Sequence, residues 1–363
     1  MMNSLNKNLI ILITIIAMSF AAWYFSQVVI YIVIAAILAL IGQPIDKFFS
    51  KIKIGKFKLP DTISTAFAFL TLLLAFISLL IFFTPLVMEE ASILSSLDRS
   101  TLIGFIQTPM QNLEHILKDF NVDLKTDTLQ SYMQDKLVSI LTVTNLSLFF
   151  NQIISSLGNF FVAFFAISFL TFFFLRDEKK IVNIVVSAMP AKYSEKIKNV
   201  WYDSQHMLKR YFIGILIEVL LVIFFLSIGL WIAGIKHALL IALFAGLVNV
   251  IPYVGPLIGT AFALFIGVTA NIEASMIAVM IKILSVFLGV QIADAFLLQP
   301  FIYSSSVKAH PLEIFLVILI GATIGGIGGM ILAVPSYTVL RVIAKEFFTK
   351  FRIVQQLTKK LGD

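Results

Sequence analysis

Long apolar runs separated by short charged stretches dominate this chain. A helix that crosses a hydrocarbon core of about 30 Å needs about 20 mostly apolar residues. Eight stretches approach that requirement: 8–26, 28–42, 62–87, 149–175, 211–234, 238–269, 272–299 and 311–343. The second is short and follows the first almost directly, which predicts a tight helical hairpin. The sixth and eighth are long and interrupted. The first has Lys7 before its apolar run, as a signal peptide would, but no clear small-residue cleavage site follows, so it is read as retained. The pattern predicts an all-α polytopic membrane protein with about eight transmembrane helices. Its segments are the first three helices (1–87), an extracytoplasmic amphipathic segment (88–148), the fourth helix (149–175), a cytoplasmic or interfacial linker (176–210), a C-terminal transmembrane core (211–345) and a basic tail (346–363).

Composition agrees with this picture. Of the 363 residues, 60% are hydrophobic and 13% charged, against roughly 25% charged in an average soluble protein. There is no cysteine, which excludes a disulfide scaffold, a thiolate metal site and a cysteine nucleophile. Four scattered histidines make no metal cluster, and no cofactor motif is present.

Charge sets an expected orientation. Five lysines (47, 51, 53, 56, 58) face two aspartates in 43–61, and eight Lys or Arg face four acids in 176–210. Six basic residues face two acids in 341–363, whereas 88–148 holds four basic residues against eight acids. The excess of Lys and Arg in cytoplasmic loops then places both termini, 43–61 and 176–210 inside, and 88–148 outside. The formal net charge of +7 reflects topology, and no nucleic-acid partner is expected. Apolar residues at helical spacing in 88–148 predict two or three amphipathic helices, either a cap or a gating lid. Tyr193, Ile197, Val200, Trp201 and Met207 predict an interfacial helix along the bilayer surface.

Ionisable residues within spans are costly and point to function by default. Glu218 lies roughly 10 Å into the fifth stretch and Lys282 roughly 15 Å into the seventh, at 1.5 Å per residue. If both depths run from the cytoplasmic side, the two can meet as an ion pair, which either fixes packing or serves transport. Asp294, one turn from Gln291, lies about 18 Å beyond Lys282. It is expected toward the outer side, as a coupling carboxylate or a water-facing interfacial residue. Lys308, His310 and Glu313 are expected near that side as ordinary loop and helix-end groups.

Two backbone signals add to these. Asn249-Val-Ile-Pro252-Tyr253-Val-Gly255-Pro256 breaks the sixth stretch, because each proline removes a donor and frees a carbonyl. Broken helices at membrane depth persist only where protein or water satisfies the freed groups, and in transporters they hold ions and substrates. Gly321, Gly325 and Gly329 are spaced by four. They permit close approach of another helix, or a hinge or second break near Pro335.

With these residues in place, the C-terminal half resembles the AI-2E (PerM) family of transporters. The resemblance is carried by Gly214 and Glu218, by the run from Gly246 through Asn249, Pro252, Tyr253, Gly255 and Pro256 to Gly259, by Gln299-Pro300 and His310-Pro311-Leu312, and by Gly325 to Pro335. It implies an eight-span protein of the bacterial inner membrane that assembles as a homo-oligomer. It further implies export of a small polar solute such as autoinducer-2, or sodium (lithium)/proton antiport. The polar end of span seven departs from the family's usual form, reading Gln291, Asp294 and Gln299 here. An oligomeric passive pore or scaffold is the remaining reading. An enzyme is not expected, since no spanning triad, metal set or paired-carboxylate arrangement is visible in the sequence.

Overall fold

The structure is a computed structural model that describes residues 20–21, 24–54, 57–96, 157–188, 190–271, 275–299 and 309–348. Most of the first expected span, most of the 88–148 segment, the loop holding Lys308 and most of the basic tail lie outside the described residues. The helices are α1 (Ser26–Ser50), α2 (Asp61–Ser96), α3 (Leu157–Arg176), α4 (Glu178–Ser187), α5 (Ser194–Ile232), α6 (Ala238–Val248), α7 (Val254–Ala270), α8 (Met276–Ala293) and α9 (Pro311–Phe347). The one departure from helix among the described elements is a two-residue antiparallel pair, β1 (Lys53–Ile54) with β2 (Phe57–Lys58). By length and composition alone five helices could cross a membrane: α1, α2, α5, α8 with the turn after it, and α9, the last being divided by a break at Gly325–Gly326. Their outward faces are apolar, with Phe224 56%, Trp231 75% and Leu288 62% exposed, as a bilayer-facing surface requires.

The chain divides into two compact units, residues 1–74 with 156–198, and 75–155 with 199–363. In the first, α1, α2 and α3 meet at Gly42, where an added Cβ would stand 2.9 Å from Leu72 and 3.1 Å from Leu175. Asp46 ties α1 to the start of α2. Its Oδ1 accepts from Ser64 Oγ at 2.7 Å and from Thr65 Oγ1 at 3.2 Å. Gln43 Nε2 donates to Glu178 Oε2 at 3.1 Å, which anchors α4.

The second unit turns on two reversals of the chain. The sixth apolar stretch is two antiparallel helices rather than one interrupted crossing. Val248 meets Gly255, Ala245 meets Gly259, and the rings of Phe244 and Phe262 stack at 3.8 Å. At the far end, Lys236 N–H donates to Asn271 Oδ1 at 3.3 Å. Partners thus separate in step from a bend at 249–253, and the hairpin enters and leaves at one end. Its 11-residue and 17-residue arms measure about 16 and 26 Å, each short of a bilayer core of about 30 Å.

The eighth stretch folds back as well. Gly325 (φ −137°, ψ 19°) and Gly326 (φ 56°, ψ −137°) leave the helical range and divide α9 into two arms. Gly321 and Gly329 then face each other backbone to backbone, and Tyr337 Oη donates to Glu313 Oε2 at 2.6 Å across the base. The Gly321/Gly329 pair does permit a close approach, between two arms of one stretch. The hinge is at Gly325–Gly326, and Pro335 is buried within the second arm. The 194–210 stretch is not a separate surface helix either. No helix breaker interrupts it, and α5 runs unbroken through 39 residues.

The glycine contacts are open to test. An alanine at Gly321 or Gly329 would drive its Cβ into the facing carbonyl, and such overpacking costs about 1–3 kcal/mol. Thermal unfolding in detergent should show this loss. Gly328→Ala, with nothing within 4 Å of the new methyl, should not.

Candidate functional site

The first reversal decides which ionisable groups meet. Because the α6–α7 hairpin returns to the end it left, α8 runs back alongside α5. A Cβ at Gly229 would collide with Val286, and the carboxyls of Glu218 and Asp294 come within hydrogen-bonding reach. A carboxylate pair therefore exists where a Glu218–Lys282 ion pair was expected. Lys282 lies on the exposed face of α8 and forms no ion pair with Glu218. Had the sixth stretch crossed, as in an eight-crossing chain, α8 would run the other way and the depths of Lys282 and Asp294 would be exchanged.

Each side chain is placed by a local feature. Glu218 sits on the inward face of α5 and is 3% exposed. Asp294, fully buried, opens a π-helical turn, Asp294–Leu298, a feature common at functional positions in helices. The wider turn brings Gln299 back, and its Nε2 donates to Asp294 Oδ2 at 2.8 Å. Asn249 caps the end of α6, is 7% exposed, and faces the same carboxyl. Asp294 Oδ1 is buried without a hydrogen-bond donor among the described residues. Tyr211, two turns before Glu218 on α5, lies within electrostatic range of it.

The break beside Asn249 is built from short-range turns. Ile251 N–H donates to Val248 O at 3.0 Å, so the carbonyl freed by Pro252 is taken up locally. Val254 N–H donates to Pro252 O at 2.8 Å with Tyr253 between them at φ 66°, ψ −43°. That is a γ-turn of the rare, strained kind. Backbone strain of this order, about 1–3 kcal/mol, survives where surrounding contacts over-determine it and concentrates at functional sites. The Tyr253 ring packs edge-on against Phe315 at 5.9 Å. Gly255 is required because a side chain there would strike the Val248 carbonyl, and Pro256 lies within the first turn of α7.

Of the residues singled out from the sequence, the structure gathers Glu218, Asp294 and Asn249. Pro252, Tyr253, Gly255 and Pro256 form the adjoining bend. Gln291 lies one turn before Asp294, and its carbonyl accepts the Asp294 N–H. Gln299 was visible only as part of a family motif, and Tyr211 was missed. A seven-residue step back from Glu218 along the apolar face would have found it. Glu313, read as a helix-end charge, instead braces the second hairpin.

Two ionised carboxylates in contact repel, and burial weakens the screening between them. A proton shared between them, or a cation held between them, removes the repulsion and completes Asp294 Oδ1. The pair presents carboxylate oxygens, which suit a hard cation or a proton.

Comparison with known proteins agrees with the membrane fold. A family model described as AI-2E family transporter matches residues 12–349. The chain belongs to the AI-2E family of transporters. It is 29% identical over 313 residues to "Putative transport protein YueF" of Bacillus subtilis, covering 85% of this chain and 81% of that protein. It is 33% identical over 189 residues to "Putative transport protein YrrI" of the same organism, about half of each chain (52% and 52%). "Putative permease PerM" of Escherichia coli K12 is 24% identical over 180 residues, 48% of each.

The pair makes a stability prediction. Glu218→Gln offers an amide donor to the unpartnered Asp294 Oδ1 and should unfold no earlier than the wild type. Glu218→Leu leaves that oxygen buried beside hydrocarbon, at about 1–3 kcal/mol. Thermal unfolding of the two purified variants distinguishes them.

Proposed function

We propose that this protein is a secondary transporter that exchanges sodium or lithium for protons, with Glu218 and Asp294 as the shared coupling site. The observation that carries the proposal is the buried contact of these two carboxyls beside the broken hairpin end at Asn249. One site that holds either a proton or a cation, but not both, is sufficient for exchange. Its parts come from a crossing helix followed by a hairpin, occurring twice (α5 with α6–α7, α8 with α9), with the two crossing helices antiparallel. Transporters built from inverted repeats place coupling ions at the junction of such halves.

The same proposal includes orientation. With both termini and the basic segments in the cytoplasm of the inner membrane, α5 carries the chain outward, the first hairpin dips from outside, and α8 returns it. The second hairpin then dips from inside, and the basic tail remains cytoplasmic. Homo-oligomeric assembly, as the family resemblance implies, belongs to this reading too. A second reading is export of a small polar solute such as autoinducer-2. It is favoured by the neutral amides of Asn249 and Gln299 beside the pair, which suit hydroxyl groups.

The test is a sodium pulse to proteoliposomes with internal pH followed by a trapped dye. Sodium-dependent proton movement is expected in the wild type and in Lys282→Gln, and its loss in Glu218→Gln and Asp294→Asn. A flat trace from folded wild-type protein overturns the exchange reading and leaves solute export, assayed by efflux of autoinducer-2.

A further inference from the structure

Ser204, Tyr211 and Glu218 stand seven residues apart along α5. Seven residues are two turns less about 20°, so the three share one narrow face. That face is buried at each point: Ser204 is 8% exposed, Tyr211 2% and Glu218 3%. It is polar only in one direction. Beyond Glu218 the buried side of the helix continues as Val222, Leu226 and Leu230, exposed by 1%, 1% and 0%, a stripe that winds about 40° round the helix at each step of four residues. These three pack into a continuous apolar core with Ile241, Ile283 and Phe287. Ser227 Oγ, the next hydroxyl, is also buried without a hydrogen-bond partner among the described residues, but it is nine residues past Glu218, half a turn round, and therefore on the opposite side of the helix from the file.

Two atoms on the polar side stand out. Ser204 Oγ and, at the edge of the file, Trp201 Nε1 are buried without a hydrogen-bond partner among the described residues. Buried polar groups are nearly always paired with protein or with ordered water. Consecutive members of the file are about 10.5 Å apart along the axis, too far to bond one another directly. Water can bridge such groups where a cavity is polar and each molecule finds two or more partners. Past Glu218 no such partners exist on this face, and an apolar cavity stays dry.

We infer that the face of α5 from Ser204 to Glu218 is a water-bearing file that connects the carboxyl pair to the N-terminal end of α5 and to that end alone. The structure is then a state open on one side, with Val222, Leu226 and Leu230 forming the closed seal. As a route for the exchanged ion the file rests on the coupling role proposed above. Its existence is read without any flux, so the two ideas fail separately.

The chain has no cysteine, so single-cysteine variants need no prior removal of native thiols. Sealed vesicles of known orientation are treated from each side with a charged, membrane-impermeant methanethiosulfonate. Asp203→Cys, on the exposed face of α5, marks the side that reaches this end of the helix. Ser204→Cys, close to isosteric, and Tyr211→Cys are expected to react from that side only, and Leu226→Cys from neither. Where Tyr211→Cys does not fold, Ile215→Cys, one turn further and 7% exposed, takes its place. Absence of labelling at Ser204→Cys and at the deeper position while Asp203→Cys reacts overturns the inference. Labelling that stops at Ser204, or that extends to Leu226→Cys, overturns it equally.

Discussion

A peptide group inside hydrocarbon must find its hydrogen bonds within the protein, and two prolines four residues apart make that impossible for a straight helix. The chain answers at residues 249–253 with local turns, in which Ile251 reaches Val248 and Val254 reaches Pro252. It then reverses. Most of what is distinctive in the second unit follows from that reversal. The α6–α7 hairpin closes on itself through Phe244 and Phe262. The direction of α8 is set by it, and with that direction the meeting of Glu218 with Asp294.

The electrostatics of that meeting are unfavourable in isolation. Two buried carboxyls in contact, one with an unpartnered oxygen, add nothing to stability that hydrophobic residues would not supply better. Their surroundings moderate the cost without abolishing it. Gln299 donates to one oxygen, Asn249 faces the group, and a π-turn holds both within reach. An arrangement that stays costly until a proton or cation arrives is suited to alternate between the two. In the exchange proposed above, the apolar residues past Glu218 would matter as much, because a coupling site open at both ends would leak.

Glycine does for the second hairpin what proline does for the first. Gly326 supplies a backbone angle that other residues avoid, and Gly321 and Gly329 let the two arms touch. The base is then closed by the Tyr337–Glu313 hydrogen bond. Both hairpins thus reverse at a point that cannot remain helical, and both are closed by contacts near the ends of their arms.

The sequence by itself determined the helical, membrane-embedded class, since apolar runs of bilayer length leave few alternatives. It also determined where the first hairpin breaks, because Pro252 and Pro256 act locally; the second break was expected near Pro335 and lies at Gly325–Gly326 instead. Family membership was legible in the same residues. Glu218, Asp294 and Asn249 were each visible as costly polar groups in apolar surroundings. What they touch was not. Whether a broken apolar stretch crosses or turns back depends on contacts between its own arms, such as Ala245 with Gly259 and Lys236 with Asn271. That choice flips the direction of every later helix. It replaced Lys282 by Asp294 as the partner of Glu218, and it is a property of tertiary packing that no local pattern of residues encodes.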